Sequence, residues 1–445
     1  MSVRALALFV LTFACAAGRA DDWPQWLGPQ RDGVWREEGV LDALPKDGPK
    51  VLWRKPINPG YTGPAVAGGR VYVMDRVKKD VDPKTAKDSG TPGNERVVCL
   101  DLATGDQVWE HVYDCTYKRV DRPMGPRCTP TVDGDRVYTL GTMGDLRCLD
   151  AKTGKAVWTK SFGTDYGVKP PVWGFSAHPL VEKDLVITLV GGEGKGVVAF
   201  DKATGKERWA ALTSEDVGYS PPVVAEAGGV RQLIVWLSDA LAGLNPATGE
   251  VYWRHRHPEA GVVQQKPTVT IITPKVVGDM VYVSSAYDGM LAVKLAKDRP
   301  AAEVAWRENV KRKSGPATRV LMTTLLARDG HLYGVFADSG DVFCAEAATG
   351  KVVWTDQGLF GGKAALFGTA FWVEQKDRVV AFTDAGDLVL LNLSPKGYAE
   401  AGRAHVLDPI GADRGRTVIW AHPAFADRKM VVRNEKEIVC VSLAK

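Results

Sequence analysis

Few residues in this 445-residue chain have the type and spacing for chemistry. His255-Arg-His257 could place two imidazoles on one face of an extended strand, the start of a zinc site. No third ligand is near in sequence, so these read as surface histidines. His178 and His422 each stand just before a proline, at matching points of a repeat described below. They read as residues lining one mouth, too far apart to share a metal ion. Gly192-Glu-Gly-Lys-Gly196 is glycine-rich, but strand-like runs flank it, and a phosphate cradle needs a following helix. It reads as a hairpin turn. Neither a nucleophile elbow nor a zinc-type cysteine spacing appears. What remains is basic and aromatic: Arg127, Trp173, Lys266, Arg319 and Trp420, in or beside the longer connections that also hold the two histidines. Acidic residues such as Asp121, Asp165 and Asp413 are interleaved with them. Cations beside rings grip carboxylates by charge and by stacking, so the chemistry on offer is recognition of an anionic ligand or partner.

The elements that position these residues come from one recurring stretch. Asp101-Leu-Ala-Thr-Gly105-Asp-Gln-Val-Trp109 returns at Asp150–Trp158, Asp201–Trp209, Asn245–Trp253 and Glu346–Trp354. Trp306 ends a degenerate copy without Thr-Gly, and Trp53 ends a copy whose first half is missing. A recurrence near every fifty residues marks a repeat architecture. The Asp or Asn side chain can bond backbone two residues on, and the glycine supplies positive φ, so the stretch is a turn between antiparallel strands. One large ring per repeat must be buried against a neighbouring repeat, which makes Trp53, Trp109, Trp158, Trp209, Trp253, Trp306 and Trp354 a docking column.

Read in full at Arg127–Phe162, the repeat holds four strands, the signature of a propeller blade. Six more follow the same plan: Gly63–Tyr113, Ala177–Leu212, Ser220–Arg256, Ile272–Asn309, Met322–Gln357 and Gly368–Leu407. An eighth begins at Ala421-His-Pro and runs out after three strands. Its missing strand is Val51-Leu-Trp53-Arg-Lys at the other end of the chain. The predicted fold is therefore all-β: an eight-bladed propeller of four-stranded antiparallel blades, closed by the N-terminal strand completing the last blade, over residues 51–445. Proline recurs at the start of the first strands, as suits an inner edge facing a channel.

Residues 1–20 carry a basic start, an apolar run and small residues before Asp21, the pattern of a secretory signal peptide. A lipid anchor on Cys15 is the lesser alternative. No other stretch is apolar enough to span a bilayer. Residues 21–50, with Trp23-Pro-Gln-Trp26, read as an ordered strap lying on the body, because two exposed tryptophans would be costly. The insertion at 78–95 reads as a mobile loop. Lysine and arginine total 57 against 53 acidic residues, too even a balance for a nucleic-acid partner. Cys99, Cys148, Cys344 and Cys440 share one repeat position and read as buried thiols. Cys115 and Cys128 flank one loop and are the candidates for a disulfide in an oxidising compartment.

The turn motif, the x-Pro first strands and the interlocked ends resemble the exported PQQ-like, or quinoprotein-type, β-propeller repeat family, including the propeller subunit of the outer-membrane barrel-assembly machine. The resemblance implies that the motif docks blades and binds no quinone itself. It implies a non-enzymatic scaffold, monomeric, in the periplasm or cell envelope, binding a protein partner or anionic ligand without a cofactor. The alternative is a redox enzyme holding pyrroloquinoline quinone (PQQ) and calcium in the central channel. Against it, the dehydrogenase branch carries an adjacent cysteine pair, absent here. The residues opening the first strands (Gly63, Thr129, His178, Pro221, Thr273, Thr323, Thr369 and His422) also include no carboxylate for calcium or for a base.

Overall fold

The middle strands of each repeat are unbroken apolar runs, and this dictates their packing. Leu185–Leu189 and Ala240–Leu244 are buried at every position, as strands covered on both faces must be. The fourth strands are wetter; Ala156–Ser161 has no fully buried residue. In the computed structural model, which describes residues 21–79, 90–259, 269–308 and 319–445, the strands form eight four-stranded antiparallel sheets. Blade one comprises Ala65–Ala67, Arg70–Lys78, Gly93–Asp101 and Gln107–Asp114, and the later blades repeat that order outward from the axis. A separate two-stranded hairpin, Gly411–Asp413 with Arg416–Val418, stands between blades seven and eight. The expected signal segment with Cys15, most of the 78–95 insertion and Lys266 lie outside the described residues.

Closure occurs as the sequence predicts. Val51–Pro56 pairs antiparallel with Glu437–Ser442, setting Val51 opposite Val441 and Trp53 opposite Cys440. The ring therefore has no open blade at the chain ends.

The tryptophan column docks the blades through a repeated pair of contacts. Each indole N–H donates to a carbonyl in the next blade's turn: Trp53 to Leu102 (2.8 Å), Trp109 to Ala151 (3.0 Å), Trp158 to Lys202 (3.0 Å) and Trp209 to Pro246 (3.1 Å). Trp306 and Trp354 bond Ala347 and Ser394 in the same way. The ring then lies over the turn glycine. A Cβ on Gly154 would stand 2.5 Å from Trp109, and one on Gly249 equally close to Trp209. The motif's glycine thus serves two needs, a φ near 70° and room for a ring. Trp253 is the exception. Blade five lacks the Thr-Gly turn, and the Trp253 indole turns back to Gln232 Oε1 of its own blade (2.7 Å).

Two expectations are corrected. The strap does not simply lie on the body; it enters the central channel and plugs it. Trp23 pairs with Val66 of blade one, Pro24 accepts from Val132 of blade two, and Val34 pairs with Glu374 of blade seven, whose carbonyl accepts from Trp35 N–H. The innermost strands present unpaired backbone groups to the channel, and the strap supplies partners while burying Trp23 and Trp35 to 2% exposure. The second correction concerns Cys115 and Cys128, which are free thiols. Cys115 is buried with Tyr113 and Tyr117, whereas Cys128 is buried in the core of blades two to four. The chain between them places the two sulfurs in separate packing clusters, and burial pushes both thiols well up. The four column cysteines are free and buried, as expected.

Candidate functional site

Antiparallel four-stranded blades put the first and third turns on one face of the disc. The second loop of each blade and the connection to the next blade lie on the other. That second face holds a cup at the axis, a cavity of about 320 Å3. Six of the seven residues expected to form a recognition face line it: Arg127, Trp173, His178, Arg319, Trp420 and His422. Lys266 is outside the described residues. His255 and His257 are elsewhere; His257 is buried against Trp236 rather than on the surface, its Nε2 3.3 Å from Gly289 O.

The floor comes from the strap. Trp26 donates its indole N–H to Thr273 Oγ1 (2.7 Å), stacks on His178 with ring centroids 4.2 Å apart, and meets His422 edge-on at the same separation. The two histidine rings are 6.0 Å apart, closer than a separation of three blades around the ring suggested, because both reach inward across a narrow channel. Thr129 fixes their tautomers. Its backbone N–H donates to His178 Nδ1 (2.8 Å), so that ring carries its proton on Nε2, which has no hydrogen-bond partner among the described residues. Its hydroxyl donates to His422 Nε2 (2.6 Å), while His422 Nδ1–H donates to Pro423 O (3.1 Å). Burial holds His422 down at about 4 and His178 well below its ordinary value, the latter also because His422 and Arg31 lie close. Both imidazoles are neutral at pH 7. Gly63, which opens blade one, has no room for a side chain because the His422 ring fills that space.

Arg31, also from the strap, sits beneath this floor. It is 7% exposed and donates to the carbonyls of Pro179 (3.0 Å), His178 (3.2 Å) and Pro222 (3.3 Å). Burial lowers its pKa to about 9, still charged at neutral pH.

The walls divide by chemistry. On one side, Arg127 donates to the carbonyls of Gly125 (2.9 Å), Asp121 (3.1 Å) and Arg122 (2.8 Å) and lies over the Tyr61 ring. It clamps its own loop, and burial lowers its pKa from the ordinary arginine value. Arg122 pairs with Asp413 and lies over Trp420. Trp173 donates to Asp121 (3.2 Å) and packs on Tyr219. The opposite side is apolar, with Ile271, Leu321, Met322, Phe367 and Phe371. Two further cations stand there: Arg414, over Phe367, and Arg319. Arg319 makes no side-chain hydrogen bond or ion pair among the described residues, and its Nε is buried without an acceptor. Asp338 is the one carboxylate among the described residues of the lining.

Sequence reasoning placed the cationic rim and missed the floor and the apolar wall. Trp26 was legible as a ring needing cover, but nothing local says the cover is the channel. Phe371 stands two residues beyond Thr369 on the first strand of blade seven, so alternation along that strand was the available signal.

Comparison with known proteins agrees with this architecture. Among solved structures, BamB from Moraxella catarrhalis superposes with a TM-score of 0.57 at 15% identity, covering 88% of this chain and 97% of that one. The computationally designed Ika8 protein gives 0.51 at 12% identity, over 89% and 100%. A europium-containing methanol dehydrogenase gives 0.46 at 13%, over 95% and 89%. At these identities the likeness is one of fold. No curated protein sequence matches. The family model described as outer membrane protein assembly factor BamB matches residues 93–356, more than half of the chain, and the protein belongs to that PQQ-type propeller family.

Proposed function

We propose that this protein is an exported, non-enzymatic propeller that binds an anionic partner, an acidic protein segment or a carboxylate ligand, on the face that carries the cup. The observation that carries the reading is the convergence of Arg122, Arg127, Arg319 and Arg414 with Trp173 and Trp420 on one concavity whose described lining holds a single carboxylate. Rigid scaffolds concentrate recognition on such loops, and the rim chemistry suits charge-assisted, stacked contacts. Membership of the assembly-factor family supports a partner in the cell envelope. Among the described residues no helix is long and apolar enough to cross a membrane.

Redox turnover on PQQ is the weaker reading because of the donor set. A calcium ion takes roughly six to eight oxygen ligands, usually several carboxylates. The cup offers Asp338, and the described residues hold no cluster of His, Cys, Asp and Glu suited to a metal. These residues do not fit a calcium-held quinone.

The test is capture of a polyglutamate peptide by immobilised protein at low and high salt. Trp173→Ala with Arg414→Ala should lower capture several-fold and flatten its salt dependence. Lys152→Ala with Lys206→Ala, exposed on the opposite Thr-Gly turns, should leave it unchanged. The reverse pattern would place binding on the other face.

A further inference from the structure

The cup is half apolar, and its cations are not equivalent. Arg127 is committed to three carbonyls and Arg122 to Asp413. Arg414 is exposed and lies over Phe367. Of the four, only Arg319 makes neither a side-chain bond nor a ring contact among the described residues, and its Nε is a buried donor with no acceptor among them. Asp288 feels its charge and accepts from the Ser285 hydroxyl (2.9 Å), but makes no ion pair or hydrogen bond with Arg319. A buried orphan donor on a cation calls for an explanation, and leaving it unmade costs more than a bond normally gains. A second unclaimed donor lies at the floor. His178 is 7% exposed and lines the cup, and Thr129 fixes its proton on Nε2, which has no protein acceptor among the described residues.

The surroundings of Arg319 say what kind of anion would satisfy it. Leu321 and Met322 follow it in sequence, and Val269, Ile271, Phe367 and Phe371 share the wall. A bare inorganic anion would satisfy the cation and leave this apolar surface wet. An alcohol or an amine with an apolar body would cover the surface and leave Arg319 unpaired. At about 320 Å3 the cavity lies at the small end of ligand pockets, which run from roughly 300 Å3 upward.

Resting on the anion-binding reading above, we propose that the cup is a small-molecule site for an amphipathic carboxylate, with its apolar body against the Ile271–Phe371 wall and its carboxylate on Arg319 and the His178 Nε2–H. Calorimetry with decanoate, decan-1-ol and decylammonium on the full chain tests it. Decanoate should bind and the other two should bind at least about tenfold more weakly, the difference a charge-assisted bond supplies. Arg319→Gln should remove that preference and leave decan-1-ol binding where it was, and Arg319→Lys should restore part of it. Thermal melts of both variants should match wild type, since the Arg319 side chain bonds nothing among the described residues. Equal binding of decanoate and decan-1-ol, or a decanoate affinity unmoved by Arg319→Gln, overturns the proposal. Capture of polyglutamate without decanoate binding overturns it while leaving the broader reading intact; loss of both overturns the two together.

Discussion

Two glycines of blade two separate the demands placed on the repeat turn. Gly134 lies in the turn between the first two strands at φ 57°, and nothing would come within 4 Å of an added Cβ. Gly154 lies in the Thr-Gly turn at φ 71°, and its Cβ would stand 2.5 Å from Trp109 Cε3 and 2.7 Å from Cδ2. Alanine at either position pays the left-handed backbone penalty of about 1–2 kcal/mol. At Gly134 that is the whole cost. At Gly154 the indole must also shift, although its N–H is held by Ala151 O at 3.0 Å. Overpacking adds about 1–3 kcal/mol, and the strained hydrogen bond about 1 kcal/mol. Gly154→Ala should therefore exceed Gly134→Ala by about 2 kcal/mol or more in urea denaturation. Repeating Gly154→Ala in a Trp109→Ala background closes a double-mutant cycle. Without the ring, the alanine should cost no more than it does at position 134. Equal losses in the two single variants, or a cycle with no coupling, would refute the claim that the glycine exists to seat the tryptophan.

Two further outcomes follow from the buried groups. The unfolded chain takes up a proton on His422 near its ordinary value of 6.5, while the fold refuses it until about 4. Stability from this group is thus complete above about pH 6.5 and is lost as pH falls toward about 4, by up to about 3 kcal/mol. His422→Gln should flatten that limb of the stability–pH curve, and a variant curve parallel to wild type would refute the assignment. For the cysteines, native protein should resist iodoacetamide, and unfolding without reductant should expose Cys115 and Cys128 as alkylatable thiols; peptide mapping that finds them linked would refute the separate burial seen here.

The fold was legible because its determinants are local and repeated. A Thr-Gly turn followed by a tryptophan specifies a strand pair and a docked neighbour, and Trp53 without its turn announced the interlocked ends. The rim of the cup was legible for the same reason: Arg127, Trp173, Arg319 and Trp420 fall at or next to connections whose face the blade topology dictates. The floor was not. Trp26 meets His178, Thr273 and His422 through contacts spanning blades three, five and eight, and no periodicity encodes such distances. The disulfide expectation failed in a similar way, since spacing alone cannot say that Cys115 and Cys128 turn into different cores.

The N-terminal segment has two roles that depend on one another. Val51–Pro56 closes the ring, and the residues just before it return into the channel from the Thr-Gly side, where Asp22 accepts from Gly68 N (3.1 Å) and Glu37 from Arg428 N (2.9 Å). The strap crosses from Val66 in blade one to Thr273 in blade five, on opposite sides of an eight-membered ring. Its seat therefore exists only once all the blades are in place. Arg31 is carried into that seat as a cation bonded to carbonyls and to the Gln25 side chain. Carbonyl dipoles make its burial tolerable without cancelling its charge. That charge stands under the cup, where it opposes protonation of His178 and favours an anion above. The walls come from the blades, but part of the positive field at the cup floor is set by the plug.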